Sequence, residues 1–278
     1  MGDECIHGFE NGLCDSCYPK PAPVVDALAA APRASRARST RAPSLRAGSS
    51  SRSSTLSKPA VDVGEQRIYH MTHIDNLPGI LSSGSLFSQA GQAEASQPAI
   101  DISSAPNRVS RTTIVVSDDG DSVASYVPFF LSTDATVWQN LRTRTADPRL
   151  AKAASGYAAT EFVVLVSTIK AVAGGIVHDE YSGPAIAVTD GDATGALTRF
   201  ATAPYETRRM LQTLRDEDEA TRILDAEYLV HDAFPVELVT LIGVANVNVR
   251  HTVKTMLQAA AMPTKLVVHP PWFQPAEV

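Results

Sequence analysis

No cysteine follows position 17 of this 278-residue chain; all three, Cys5, Cys14 and Cys17, sit at its start. A secreted disulfide framework would spread an even number through the fold, so a reduced, cytoplasmic setting is expected. Long apolar runs are missing too: no stretch approaches the roughly 20 uninterrupted apolar residues of a membrane span. The N-terminus begins with acids, His and Cys, not with the basic region and apolar core of a secretory signal. No membrane partner is expected. Positive charge is in deficit, with 24 Lys and Arg against 30 Asp and Glu. The net charge of −6 excludes a conventional polybasic nucleic-acid binder for the chain taken whole. No internal repeat is visible.

What is present divides into three segments. With 44% apolar and 19% charged residues, most of the chain is expected to fold. Residues 1–20 carry a net charge of −3, residues 21–60 of +6 and residues 61–278 of −9. The middle segment is rich in Ala, Ser, Pro and Arg and almost free of aromatics. Such a composition buries too little apolar surface to offset its ordering entropy, which predicts a disordered linker. Arg33, Arg36, Arg38, Arg41, Arg46 and Arg52 recur along it. They read either as a solvated spacer or as an arm that tracks phosphates without regard to sequence.

The head holds Cys5, His7, Cys14 and Cys17, the number and kind of ligands that tetrahedral zinc takes, with a two-residue spacing in the second pair. Gly8 and Gly12 let the chain fold back between the pairs. With four protein ligands the zinc would be structural. A redox Cys-x-x-Cys pair and an unstructured thiol-bearing tail are the other readings.

From Val61 the pattern is globular. Strands are predicted at 67–72, 114–117, 126–131, 161–166, 185–188, 223–231 and 239–247, from short apolar or β-branched runs between turn residues. A helix is expected over 75–83, capped by Asp75 and ended by Gly84, and a closing amphipathic helix over 250–261. Residues 206–220 read as a polar surface helix or ordered loop. Short strands with few helices and no regular βαβ alternation predict an α+β domain with mainly antiparallel sheet.

Three stretches carry chemistry. In Ile68–Leu81 a strand ends in polar groups and feeds a helix, so His70, Thr72 and backbone amides can face a polar ligand. In Asp101–Arg111, Arg108 and Arg111 stand three apart, close enough on one helical face to address an anion. In Asp225–Pro235, Ala226, Tyr228 and Val230 point one way from a strand, and Glu227 and Leu229 the other. A carboxylate in the middle of an apolar strand is costly unless it is paired or faces a cleft, so Glu227 is either functional or salt-bridged.

Together these stretches resemble the DarT family, NAD-dependent ADP-ribosyltransferases that modify single-stranded DNA. The Tyr-His-x-Thr-His-Ile-Asp-Asn-Leu opening stands at 69–77 and runs on to Ile80-Leu81. The Tyr-Val-Pro-Phe strand stands at 126–129, and the Ala-Glu-aromatic-Leu-Val block at 226–230 is followed by Phe234-Pro235. The resemblance spans about residues 67–250 and leaves head and linker outside.

The resemblance implies a split pair of small antiparallel sheets with NAD+ in the cleft between them. It implies that His70 and Thr72 bind the nicotinamide side of NAD+, with Asn76 and Gly79 in the same element. It further implies that Glu227 is the catalytic glutamate and Arg111 the catalytic and cofactor-binding arginine, with Arg108 the competitor. Arg208 and Arg209 precede Glu227 where transferases of this fold carry their recognition loop, and are candidate DNA contacts. The implied role is that of a toxin or phage-defence effector, with single-stranded DNA as substrate and a macrodomain antitoxin as partner. Where thymidine-modifying members carry His-Asp before the Tyr-Val-Pro-Phe strand, this chain has Ala124-Ser125, and Leu131–Trp138 also departs from their pattern. The alternatives are an ADP-ribosyltransferase acting on protein, RNA or water, and a non-catalytic nucleic-acid-binding module.

Overall fold

The computed structural model describes residues 62–92, 97–116, 120–174, 184–215 and 221–275. The Cys/His head and the 21–60 linker lie outside the described residues, so neither the zinc ligands nor the basic arm receives a structural account. Among the described residues no helix is long and apolar enough to cross a membrane.

The chain runs β1 (Arg67–His73), α1 (Leu77–Ser83), β2 (Ser85–Phe87), α2 (Ala105–Thr113), β3 (Tyr126–Phe130), α3 (Thr136–Thr143), β4 (Phe162–Thr168) and α4 (Ile169–Ala173). It continues through β5 (Ile186–Thr189), β6 (Phe200–Ala201), α5 (Pro204–Thr213), β7 (Glu227–His231), β8 (Ala233–Pro235), β9 (Leu241–Val244), α6 (Val247–Ala259) and β10 (Lys265–Val268). Eight strands form one sheet in the order β10-β9-β4-β1-β3-β7-β5-β6, and β2 and β8 form a separate ribbon. The β9–β10 pair is parallel and the other pairs are antiparallel, as an α+β domain of mainly antiparallel sheet requires.

Both faces of the sheet are covered. On β4, Val163 and Leu165 join a core that includes Leu77 of α1, Leu211 of α5, and Val253 and Leu257 of α6. Phe162, Val164 and Val166 face the other way, onto Trp138 and Leu141 of α3 and onto Phe273. A strand buried on both sides reads as an unbroken apolar run, which is how 162–166 stands in the sequence. The same alternation puts Ala226, Tyr228 and Val230 of β7 in the first core and Leu229 in a third cluster, with Glu227 on the Leu229 face.

Ladder pairing divides the eight strands into two halves that share one core. β1 pairs with β4 at seven positions but with β3 only at Tyr69↔Phe130. Pro128 supplies the reason. The N–H and C=O of a strand residue point to the same side, and the Pro128 carbonyl reaches His70 of β1 at 2.8 Å. The donor that proline lacks is therefore one that would have laddered onto β1. The implied split sheet is present as this seam within a single sheet, not as two detached sheets.

Several local expectations change. Asp75 does not cap α1; it lies in a 3₁₀ turn, Ile74–Asn76, whose cap is the His73 ring accepting from the Asp75 amide. Gly84 ends α1 as expected, in the left-handed region at φ 74°. The expected strand at 114–117 reduces to one isolated bridge, Val115↔Ser122, with Ser117 outside the described residues. Residues 222–224 form a 3₁₀ turn, so the strand predicted from 223 begins at Glu227.

After α6 the chain adds β10, absent from the sequence reading, and a turn that lays Trp272 over Gly243. Arg142 and the Trp138 indole hold that turn by donating to the Trp272 carbonyl at 3.2 and 2.7 Å. A Cβ on Gly243 would stand 2.5 Å from the Trp272 ring. Gly243→Ala is therefore expected to cost about 1–3 kcal/mol of stability by overpacking. An unchanged denaturation midpoint would mean that Trp272 does not seat there.

Candidate active site

Where β1 and β3 part, a cavity of about 670 Å³ opens, and residues from all three chemical stretches line it. His70, Thr72, Asn76 and Gly79 lie on the β1–α1 side, Arg108 and Arg111 on α2, and Glu227 at the start of β7.

Glu227 is only 6% exposed. Its Oε2 accepts from Arg111 Nη1 at 3.1 Å and its Oε1 from the Ala193 amide at 3.2 Å. Its own amide donates to Thr189 Oγ1 on the neighbouring β5 at 2.8 Å. The carboxylate is salt-bridged and also faces a cleft. Arg111 Nη2 is buried and meets no partner among the described residues. A buried guanidinium donor left open beside a cavity suits an acceptor oxygen brought by a ligand.

The two arginines of α2 diverge. Arg108 turns away from Glu227 to Asp101 Oδ2 at 2.7 Å and the Ser103 carbonyl at 2.6 Å. Both line the cavity, but it is Arg111 that meets the carboxylate.

A carbonyl can only accept, so His70 Nδ1 carries the proton of its bond to Pro128, leaving Nε2 of the neutral ring as an acceptor. Burial holds the His70 imidazole below the ordinary histidine value of 6.5, against the opposing pull of the Pro128 carbonyl. As pH falls through about 6.5 the unfolded chain takes up a proton that the folded ring resists, so stability is lost on acidification. The unfolding midpoint should therefore fall between about pH 7 and pH 5, and fall less in His70→Gln. Equal slopes in the two proteins would remove His70 from that linkage.

Thr72 Oγ1 accepts from Asn76 Nδ2 at 3.0 Å. Asn76 also donates to the Ile100 carbonyl at 2.9 Å and accepts from the Ile100 amide at 2.8 Å. Its amide is engaged in pinning the 97–104 segment against β1, so Asn76 shapes the cavity wall and has no Nδ2 hydrogen left for a ligand. Gly79 lines the cavity with open space where a Cβ would stand. Arg208 and Arg209 are exposed on α5 and do not line this cavity. Among the described residues no group of three or more His, Cys, Asp or Glu could hold a metal ion.

A cleft at a sheet seam, with a glutamate opening one strand and a histidine on the facing strand, can be compared with known proteins. The family model described as "ssDNA thymidine ADP-ribosyltransferase, DarT" matches residues 69–274. The chain belongs to the DarT family. No curated protein matches its sequence. Among solved structures, the DarT of Thermus sp. 2.9 in complex with ADP-ribosylated ssDNA is 23% identical, with a TM-score of 0.59 over 75% of this chain and 96% of that one. The same protein in complex with NAD+ is 22% identical, with a TM-score of 0.58 over 75% and 98%. Thermosipho africanus DarTG in complex with ADP-ribose is 17% identical, with a TM-score of 0.53 over 75% of this chain and 51% of that one. At these identities the likeness is one of fold.

The DarT cleft of this chain also contains residues that sequence reasoning passed over. His73 belongs to the signature stretch but was not singled out; it is buried between the rings of Tyr157 and Phe162, and its Nε2 meets no partner among the described residues. Ala193, whose backbone amide holds Glu227, carries no side-chain signal that a sequence could show. Arg149 and Asp192 line the cavity within one ion-pair cluster, and nothing in their local sequence pairs them.

Proposed function

We propose that this protein cleaves the nicotinamide–ribose bond of NAD+ and transfers ADP-ribose to a nucleobase of single-stranded DNA, with Glu227 as the catalytic carboxylate and Arg111 beside it. The observation that carries this reading is the Arg111–Glu227 pair at 3.1 Å, buried at the wall of a cavity large enough for a dinucleotide portion. When the C1′–N bond breaks, nicotinamide leaves with the bonding pair as a neutral molecule and ribose takes up oxocarbenium character. The Glu227 carboxylate stabilises that positive charge. A ring nitrogen or exocyclic amine of the acceptor base then attacks C1′, and its proton passes to Glu227 or to water. Arg111 stays protonated, so it orients an acceptor oxygen of NAD+ through its open Nη2 and does not act as a base. His70 Nε2 and the Thr72 hydroxyl suit the nicotinamide side. Incubating the protein with NAD+ and a panel of single-stranded oligonucleotides should shift the mass of the DNA; labelled protein with unmodified DNA would favour a protein acceptor, and intact NAD+ would sink the reading.

The finer assignments rest on sequence. The Cys5, His7, Cys14 and Cys17 head is assigned a structural zinc, and a macrodomain antitoxin that removes the mark is assigned as partner. Arg208 and Arg209, exposed on the helix before Glu227, and the arginines of 21–60 are assigned to DNA phosphates. Replacing the six linker arginines by serine should flatten the salt dependence of oligonucleotide binding. An unchanged slope would make the linker a spacer, and a metal-free protein would remove the zinc.

A further inference from the structure

The Glu227 carboxylate is held by Arg111 on α2 and by the Ala193 amide in the turn after β5, and its backbone is placed by the chain that enters β7. Each of these segments leads back to one residue, Arg149, two of them through its side chain and α2 through its backbone carbonyl. Arg149 donates from Nε and Nη2 to the two oxygens of Asp147 at 2.9 and 2.7 Å, a bidentate anchor. From Nη1 it donates to Asp192 Oδ2 at 2.9 Å and to Asp225 Oδ1 at 3.4 Å. Asp192 immediately precedes Ala193, and Asp225 stands two residues before Glu227. The Arg149 carbonyl accepts from the Ser104 amide at 2.8 Å, and Ser104 caps the helix that carries Arg111.

The anchor is firm at its base. Although burial works in the opposite direction, hydrogen bonds from Arg149 and Asn140 hold the Asp147 carboxyl down to about 2, so it stays ionised. The Asp192 turn is separately fixed, since Asp192 Oδ1 accepts from the amide and the hydroxyl of Thr194, both at 2.7 Å. One free end of a rigid turn and one strand entry therefore depend on a single guanidinium. Because its Nε, Nη1 and Nη2 all donate to protein carboxylates, Arg149 is suited to act through its neighbours rather than on a ligand.

We propose that Arg149 is a positioning residue for the transfer step, setting the place of Glu227 through Asp192 and Asp225. The proposal rests on the assignment of Glu227 as the catalytic carboxylate. A group held by several shared supports loses rate steeply when displaced: a shift of about 1 Å can cost about 10²-fold.

Asp192→Asn is the cleanest cut. The Asn carbonyl oxygen keeps both Thr194 bonds, while its amide turns a donor toward Arg149 Nη1. In the full-length enzyme, with NAD+ and a single-stranded oligonucleotide, this variant should lower kcat for nicotinamide release about 10- to 100-fold. KM for NAD+ should stay within about twofold, because both Asp192 oxygens are engaged by Arg149 and Thr194. Arg149→Gln should show the same split and Arg149→Lys should recover part of the rate. The Asp192→Asn, Arg149→Gln double variant should be no slower than the worse single, since both cut one support. An unchanged kcat in Asp192→Asn, or a rise in KM at constant kcat in Arg149→Gln, would overturn the positioning role. Wild-type nicotinamide release without a mass shift on DNA would sink the acceptor assignment alone. No release by the wild type would sink both.

Discussion

Glu227→Gln is expected to reduce the mass shift on single-stranded DNA by about 10³-fold or more, combining the loss of charge stabilisation with the loss of a proton acceptor. Gln is the informative substitution because it preserves shape. Its side-chain oxygen still accepts from the Ala193 amide, while its NH₂ group faces Arg111 where a carboxylate oxygen accepted at 3.1 Å. NAD+ binding by the variant, read by calorimetry, should persist within about tenfold, since the ground state gains less from the carboxylate than the oxocarbenium-like transition state does. Retained labelling at near wild-type rate would place the catalytic carboxylate elsewhere in the cleft. Glu227→Ala is expected to be equally inactive and less stable, because the half-buried Arg111 would lose its carboxylate partner.

Arg111→Ala is expected to lower the transfer rate about 10²-fold, against a change within about threefold for Arg108→Ala. The contrast follows from their partners. Arg111 reaches Glu227 across 116 residues of sequence, whereas Arg108 is turned to Asp101 and Ser103 seven and five residues away. Lys at 111 should rescue little, since an ammonium cannot both pair with Glu227 and present a second, fixed donor where Nη2 now stands. The Arg111→Ala protein should also unfold earlier. The loss should stay below the about 3–5 kcal/mol of a fully enclosed broken pair, because the cavity gives Glu227 access to water. Comparable losses from Arg108→Ala and Arg111→Ala would mean that both arginines serve the ligand.

These two residues also mark where sequence reasoning reaches its end. Glu227 was legible because its cost is local: an ionisable group between Ala226 and Tyr228 in an apolar strand demands a reason wherever the strand is placed. From spacing alone Arg111 was legible only as one of a pair, because spacing on a helix fixes a face and not the partner that the face meets; the family resemblance favoured it over Arg108. Arg149 was not legible at all. Its four carboxylate contacts involve residues 2, 43 and 76 positions away, and no propensity or motif encodes such convergence. The fold class followed from short strands without βαβ alternation. The missed β10 is only four residues, Lys265–Val268, and is held by parallel pairing to β9 instead of by an alternating pattern of its own. Asp75 has the side chain of a helix cap, but a 3₁₀ turn capped by His73 precedes α1 and puts Asn76 at the α1 N-cap position. That substitution is a matter of one turn's geometry and carries no compositional trace.

Pro128 gives the domain something like a loose dovetail. The strands on either side are registered within their own halves, β1 to β4 at seven positions and β3 to β7 at five, and are joined across the seam by the Tyr69↔Phe130 pair and the His70–Pro128 hydrogen bond. Ladder register in one half need not be matched, residue for residue, in the other, although the two share a core. The wall that carries His70 and Thr72 can stay constant while the wall built on β3 and β7 is remodelled around a different acceptor. A lineage that keeps its dinucleotide and changes its target can then do so by altering one side of a joint.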